Sequence, residues 1–217
     1  MNSFISRLLL LCLMMLLGAC ATPKAYDYTA LKQSKPRSIL VLPPLNNSPD
    51  VRASYSMLST VTAPLAEAGY YVFPVALVDQ TFKENGLPHP GEMHQAPLEK
   101  LNEIFGADAA LFITIEQYGA VYQIFDSSVI VAAKARLVDT RSGQLLWDGA
   151  ASASSSEGQN NSSNSLAVML IAGLIKQVAN NIGDQGHSVA RMTSYRLLAA
   201  RPGGLLPGPR SPHFEKY

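Results

Sequence analysis

The chain holds two cysteines, and only one stands where a thiol could react. Cys20 follows Leu17, Gly18 and Ala19, a branched apolar residue and then two small ones. A peptidase that cuts before Cys20 must seat the chain beside the scissile bond, so Gly18 and Ala19 need to be small. The thiol is the nucleophile that takes a diacylglycerol group, and the amine freed by cleavage can take a third acyl chain. Other reactive groups are scattered. His89, Glu92 and His94 lie in a Pro-rich loop and are a conceivable metal set, but helical ligand pairs sit four apart and no fourth ligand is indicated. Glu116 has Lys134 or Arg136 as cross-strand partners and reads better as one half of an ion pair than as a catalytic acid. Glu99 and Glu103 share a helix face at i,i+4, the spacing of a solvated face. His187 and His213 stand near chain ends and read as surface residues, and Trp147 reads as core. The sequence contains no GxGxxG, no GxxxxGKS/T and no GxSxG. The expectation is a protein without enzymatic activity, metal or cofactor.

The elements around Cys20 are those of an export signal. Leu8–Leu17 is an unbroken apolar run behind the single charge of Arg7. As a helix it would rise about 15 Å, half of a bilayer's hydrocarbon thickness, too short for a span. Residues 1–19 therefore read as a signal peptide, and Leu17–Cys20 resembles the lipobox of bacterial lipoproteins. Ala21 lacks the aspartate that retains such proteins at the inner membrane, which points to the outer membrane, leaflet undecided. Across all 217 residues, 17 Lys+Arg face 16 Asp+Glu, with 47% apolar and 15% charged residues. Cleavage removes Arg7 and Cys12, leaving a charge-balanced chain whose one cysteine is acylated. That balance argues against nucleic acid, which needs a clustered basic surface, and against an anchor that relies on a basic patch.

Beyond a polar tether (residues 20–36), the pattern predicts one globular domain over 37–200. Ile39–Leu42 is a short buried strand. Val51, Tyr55, Leu58, Thr62 and Leu65 follow at helical spacing, with Pro64 kinking the helix and Gly69 ending it. Tyr70–Val75 is a second strand, Asp79 caps a short helix closed by Gly86, Leu87–Gln95 is a loop, and Pro97 opens a helix closed by Gly106. Two-residue alternation over Ala109–Glu116 and Val129–Leu137, a turn at Asp139–Gly143 and a return strand from Leu145 make a long antiparallel hairpin. Glu157–Ser165 is a polar loop. Leu166–Ile182 is apolar on every face, so Leu166, Met169, Leu170 and Leu174 are predicted to face a partner, a second copy above all. His187–Ala200 is a last helix carrying Val189, Met192 and Leu197. The tail, residues 201–217, is Pro/Gly-rich and either lies along the surface through Leu205, Leu206 and Phe214 or is disordered.

RSILVLPPLNNSPDVRA, LAEAGYYVFPVALVD, FGADAALFITIEQYG and LVDTRSGQLLWDG, together with the lipobox, resemble a family of proteobacterial lipoproteins known from a neisserial surface antigen. The resemblance implies an α+β fold with a mixed sheet, like the N-terminal domain of TolB, related distantly to CsgG-type and peptidoglycan-synthase-activating lipoproteins. It carries no catalytic residues, so Cys20 alone transfers as a site. It also suggests a shared envelope assembly with a CsgG-like lipoprotein, while the lipobox, the missing chemistry and the doubly apolar Leu166–Ile182 helix point to function by protein contact, as a homodimer or within such an assembly. The alternatives are a periplasmic activator of a cell-wall enzyme, or a ligand-binding or hydrolytic module on Glu116, His89 and His94.

Overall fold

The computed structural model describes residues 26–122, 127–157, 182–201 and 204–216. Cys20 with its lipobox, and the apolar segment Leu166–Ile182 apart from Ile182, lie outside the described residues. In chain order the elements are α1 (Thr29–Ser34), β1 (Ser38–Val41), β2 (Leu45–Asn46), α2 (Ala53–Thr60), α3 (Thr62–Glu67), β3 (Tyr71–Val72), α4 (Val75–Glu84), α5 (Pro90–Met93), α6 (Leu98–Phe105), β4 (Ala109–Tyr122), β5 (Ser127–Asp139), β6 (Leu145–Ser154), α7 (Ile182–Leu198) and a 3-10 turn at Phe214–Lys216. The strands form one mixed sheet in the order β3-β1-β4-β5-β6, with β2 also paired to β4. The β1–β3, β1–β4 and β2–β4 pairs are parallel, and β4–β5–β6 is antiparallel. This is the α+β class with a mixed sheet and a long hairpin that the pattern predicts.

Both faces of β1 are buried, which explains its unbroken apolar run. Ile39 and Val41 join one core with Leu111, Ile113, Ile115, Ala133, Leu137 and Trp147. Leu40 and Leu42 join a second, smaller core with Val78, Phe82, Met93, Leu101 and Ala110. Helices α1, α2, α3 and α7 pack on the first face, and α4, α5 and α6 on the second. Helix α7 is seated by polar as well as apolar contacts: the Thr193 hydroxyl donates to the Val131 carbonyl at 3.0 Å, and Ser194 Oγ lies 2.6 Å from Thr60 Oγ1. At the hairpin turn, Gly143 takes φ 71°. The Asp139 carboxylate accepts from the Arg141 and Ser142 amides and from Ser34 Oγ. Burial raises its pKa, yet these hydrogen bonds overcome that and hold it below the ordinary value.

Several expectations give way. The helix predicted from Val51 is two helices broken at Val61, and its buried face is shifted: Val51 is 87% exposed and Tyr55 48%, while Ala53, Met57, Leu58 and Val61 are buried. The second strand is only Tyr71–Val72, because Pro74 ends it and starts α4 well before Asp79. The loop predicted over Leu87–Gln95 contains α5, whose first turn closes when the Glu92 carboxylate accepts from the His89 amide at 3.3 Å. The tether is folded from Tyr26 on, since Leu31 is 4% exposed and Tyr26 and Tyr28 pack against the first core. Of the two expectations for the tail, the described residues follow the first, packing on the domain through Leu205 and Leu206, and they are buried more deeply than a surface strap. Leu205 is fully buried, the Tyr70 hydroxyl donates to the Leu206 carbonyl at 2.8 Å, and the Gly208 amide donates to the Ala68 carbonyl at 2.7 Å. The folded unit thus reaches past both 37 and 200.

Candidate functional site

Helices α4–α6 cover only the β1 side of the second sheet face. Among the described residues no helix covers that face over β4, β5 and β6, where a groove of about 550 Å³ is floored by Thr114, Glu116, Lys134, Arg136, Asp148 and Ala150. Alternation decides this. Ile113, Ile115, Ala133, Ala135 and Trp147 point into the first core, so Thr114, Glu116, Lys134, Arg136 and Asp148 point the other way; Leu146, skipped at the β5–β6 register shift, joins the core beside Trp147. Leu45, His94, Phe112 and Leu145 form the rim. A β-bulge sets Glu116 apart: Ile115 pairs with Ala133 and Gln117 with Ala132, leaving Glu116 as the extra residue. Its carboxylate meets Lys134 Nζ at 3.3 Å. Both side chains are well exposed, so the pair contributes at most about 1 kcal/mol.

Arg136 differs from Lys134. Among the described residues it has no acidic partner. Its guanidinium lies 5.9 Å from the centre of the Phe112 ring, and His94 meets the same ring edge-on at 5.3 Å. His94 Nε2 lies 2.9 Å from the Pro43 carbonyl, which can only accept, so that nitrogen carries a proton. Burial lowers the His94 pKa below 6.5, the Pro43 contact opposes this, and the charge of Arg136 adds to it. At neutral pH the groove therefore presents neutral imidazole, an aromatic ring, and two acids, Glu116 and Asp148, against two cations, Lys134 and Arg136, with Asp148 directly across the strand pair from Arg136.

The conceivable metal ligands His89, Glu92 and His94 do not converge. His89 and Glu92 are spent on the first turn of α5, and His94 turns to Pro43. Among the described residues no group of three His, Cys, Asp or Glu side chains could hold a metal ion. Glu116 and His94 share the groove; His89 does not line it. Glu103 pairs with Lys100 at 2.6 Å on the solvated face of α6. Trp147 is core, at 2% exposure.

One pairing escapes sequence reasoning. Ser56 Oγ lies 3.1 Å from His187 Nδ1 and accepts a hydrogen bond from the Tyr118 hydroxyl at 2.8 Å. A serine–histidine contact is the start of a nucleophilic dyad. Here Ser56 sits inside a helix, and among the described residues no carboxylate hydrogen-bonds the imidazole to orient it. The contact ties α2, β4 and α7 together. The residues are 131 apart in sequence, so no local signal could have joined them. Asp108 was also missed: it accepts from the Arg37 and Ser38 amides and pairs with Arg141 at 2.7 Å, clamping β1 to the turn region.

Residues 26–210 match the model of a family described as "Putative lipoprotein GNA1162-like". A Neisseria meningitidis serogroup B protein described as "Putative lipoprotein NMB1124/NMB1162" is 51% identical over 197 residues, 89% of this chain and 91% of that one. The crystal structure of lipoprotein GNA1162 from Neisseria meningitidis aligns with TM-score 0.54 at 54% identity, covering 67% of this chain and 100% of that one. A PelC dodecamer from Paraburkholderia phytofirmans aligns at TM-score 0.45 and 13% identity over 77% of this chain and 91% of that one, too distant to carry function.

Proposed function

The chain belongs to the GNA1162-like lipoprotein family, and from that premise we propose that it is an outer-membrane lipoprotein, acylated on Cys20, that works by protein contact and not by catalysis. The observation that carries this reading is the groove over β4–β6, uncovered among the described residues, where Arg136 lies over Phe112 beside His94 and makes no ion pair among those residues, although Asp148 stands across the strand from it. A cation left on a concave, partly apolar surface suits a partner that brings a carboxylate to it. Reach narrows the partner further. Tyr26 is already packed on the first core, and the six residues 20–25 that lead to it from the anchor can span at most about 20 Å. This favours a neighbour on the same membrane, such as a CsgG-like lipoprotein in an assembly complex, over a cell-wall enzyme deeper in the periplasm. Self-association through Leu166, Met169, Leu170 and Leu174 stays part of the proposal.

The test joins anchor and groove. Mass spectrometry of the processed protein should find acyl chains on Cys20, and Cys20→Ser should release the protein from the outer-membrane fraction. Arg136→Asp should leave acylation and folding intact and abolish co-purification of the CsgG-like lipoprotein. Unchanged co-purification would remove the groove from the account. Light scattering of detergent-solubilised acylated protein should show a dimer that Leu170→Glu dissociates.

A further inference from the structure

A second groove, sharing no residue with the first, lies where the two ends of the folded chain meet. The loop and helix of the N-terminal segment supply Leu31, Lys32, Lys35 and Pro36, the tail supplies Leu206, Pro207, Pro209 and Phe214, and Tyr70 closes the floor of a cavity of about 520 Å³. The two segments are fastened to each other, since the Tyr28 hydroxyl donates to the Gly204 carbonyl. The lining is apolar except for two ammonium groups. Neither Lys32 nor Lys35 has an acidic partner among the described residues, and both side chains are exposed.

The charge of the mature chain is balanced overall but not spread evenly. Residues 26–37 and 201–216 together contain six basic residues (Lys32, Lys35, Arg37, Arg201, Arg210 and Lys216) against Asp27 and Glu215. These two segments are therefore richer in basic than in acidic residues, although Asp108, Asp139 and Asp148 from the sheet hydrogen-bond to the first of them. On the lipid-anchored reading above, on which this inference rests, Tyr26 is held within about 20 Å of Cys20, so this groove is kept at the headgroup layer.

We propose that the Lys32–Lys35 groove docks on the anchoring leaflet and takes an anionic phospholipid, its phosphate on the two ammonium groups and the start of an acyl chain against Leu31, Leu206 and Phe214. Each basic side chain near an anionic surface favours docking by about 1 kcal/mol, so removing two lowers the docked-to-free ratio roughly 30-fold. The acyl anchor supplies attachment, and the groove supplies orientation.

The mature chain has no free thiol once Cys20 is acylated, so Gln33→Cys on α1 accepts a single fluorescent label. The acylated protein is reconstituted in vesicles of phosphatidylcholine alone or with a minority of phosphatidylglycerol, and quenching by a headgroup spin label is read. Strong quenching is expected only with phosphatidylglycerol, and it should be lost in Lys32→Gln with Lys35→Asn, whose thermal unfolding should be unchanged. Equal quenching in both lipids, or quenching that survives the double substitution, would overturn the proposal. Vesicle flotation separates the two readings. A protein that floats without lipid-dependent quenching keeps the anchor and loses the groove, whereas one that carries no acyl mass and does not float loses both. Quenching reversed by a soluble acidic peptide at equal charge would reassign the groove to a protein ligand and equally overturn the lipid proposal.

Discussion

At the scale of single residues, Gly149 and His94 test the geometry most sharply. A Cβ built on Gly149 would lie 2.5 Å from Cζ2 of the buried Trp147. Gly149→Ala therefore forces the indole or the strand to move, and should cost about 1–3 kcal/mol in urea unfolding. His94 carries a sign that can be checked. Its folded pKa is below 6.5, so between that value and the folded one the unfolded chain binds the extra proton. Its contribution is complete above 6.5 and is lost as pH falls through that window. His94→Gln should flatten stability against pH there, measured by denaturant midpoints. What was legible at this scale was the cross-strand partnership of Glu116 with Lys134, because alternation puts both on one face. The bulge that sets Glu116 apart was not, since one extra residue leaves the apolar pattern nearly unchanged.

Among the elements, the hairpin was readable and the short helices were not. Strands β4 and β5 alternate over many residues, and a two-residue period has few competitors. Helix α2 hides its core face behind Ala53, Ser54 and Thr60, small residues that carry little hydrophobic signal, while the larger Val51 and Tyr55 point to solvent. The tail was legible in part, since packing through Leu205 and Leu206 was one of its two expectations but its depth was not. Its prolines and glycines rule out regular structure, but Leu205 and Leu206 are buried by contacts far away in sequence, with Tyr70, Ala68 and the first core. Leu205→Ala should therefore cost about 2–5 kcal/mol, as for a core leucine, and read out as a lowered urea midpoint. A surface strap would give less than about 1 kcal/mol. The same docking fixes Gly69, whose φ is 93° and where an added Cβ would lie 2.4 Å from the Ser211 nitrogen.

For the whole molecule, the lesson concerns averages. A chain with 17 basic and 16 acidic residues gave no reason to expect a basic patch, yet folding brings Lys32 and Lys35 together with the C-terminal tail around one groove. The open face over β4–β6 was equally hidden, because alternation shows which side of a strand is polar but not whether a helix covers it. The central claim is that this face holds a partner through Arg136 while Cys20 holds the membrane. The most direct measurement places a photo-crosslinking amino acid at Lys134 of the full acylated protein in its own envelope. The account expects one discrete adduct, containing a membrane-bound partner and lost in Arg136→Asp. An adduct that forms equally with and without the Arg136 cation, or no adduct at Lys134 while a crosslinker on the exposed face of α6 captures the partner, would contradict it.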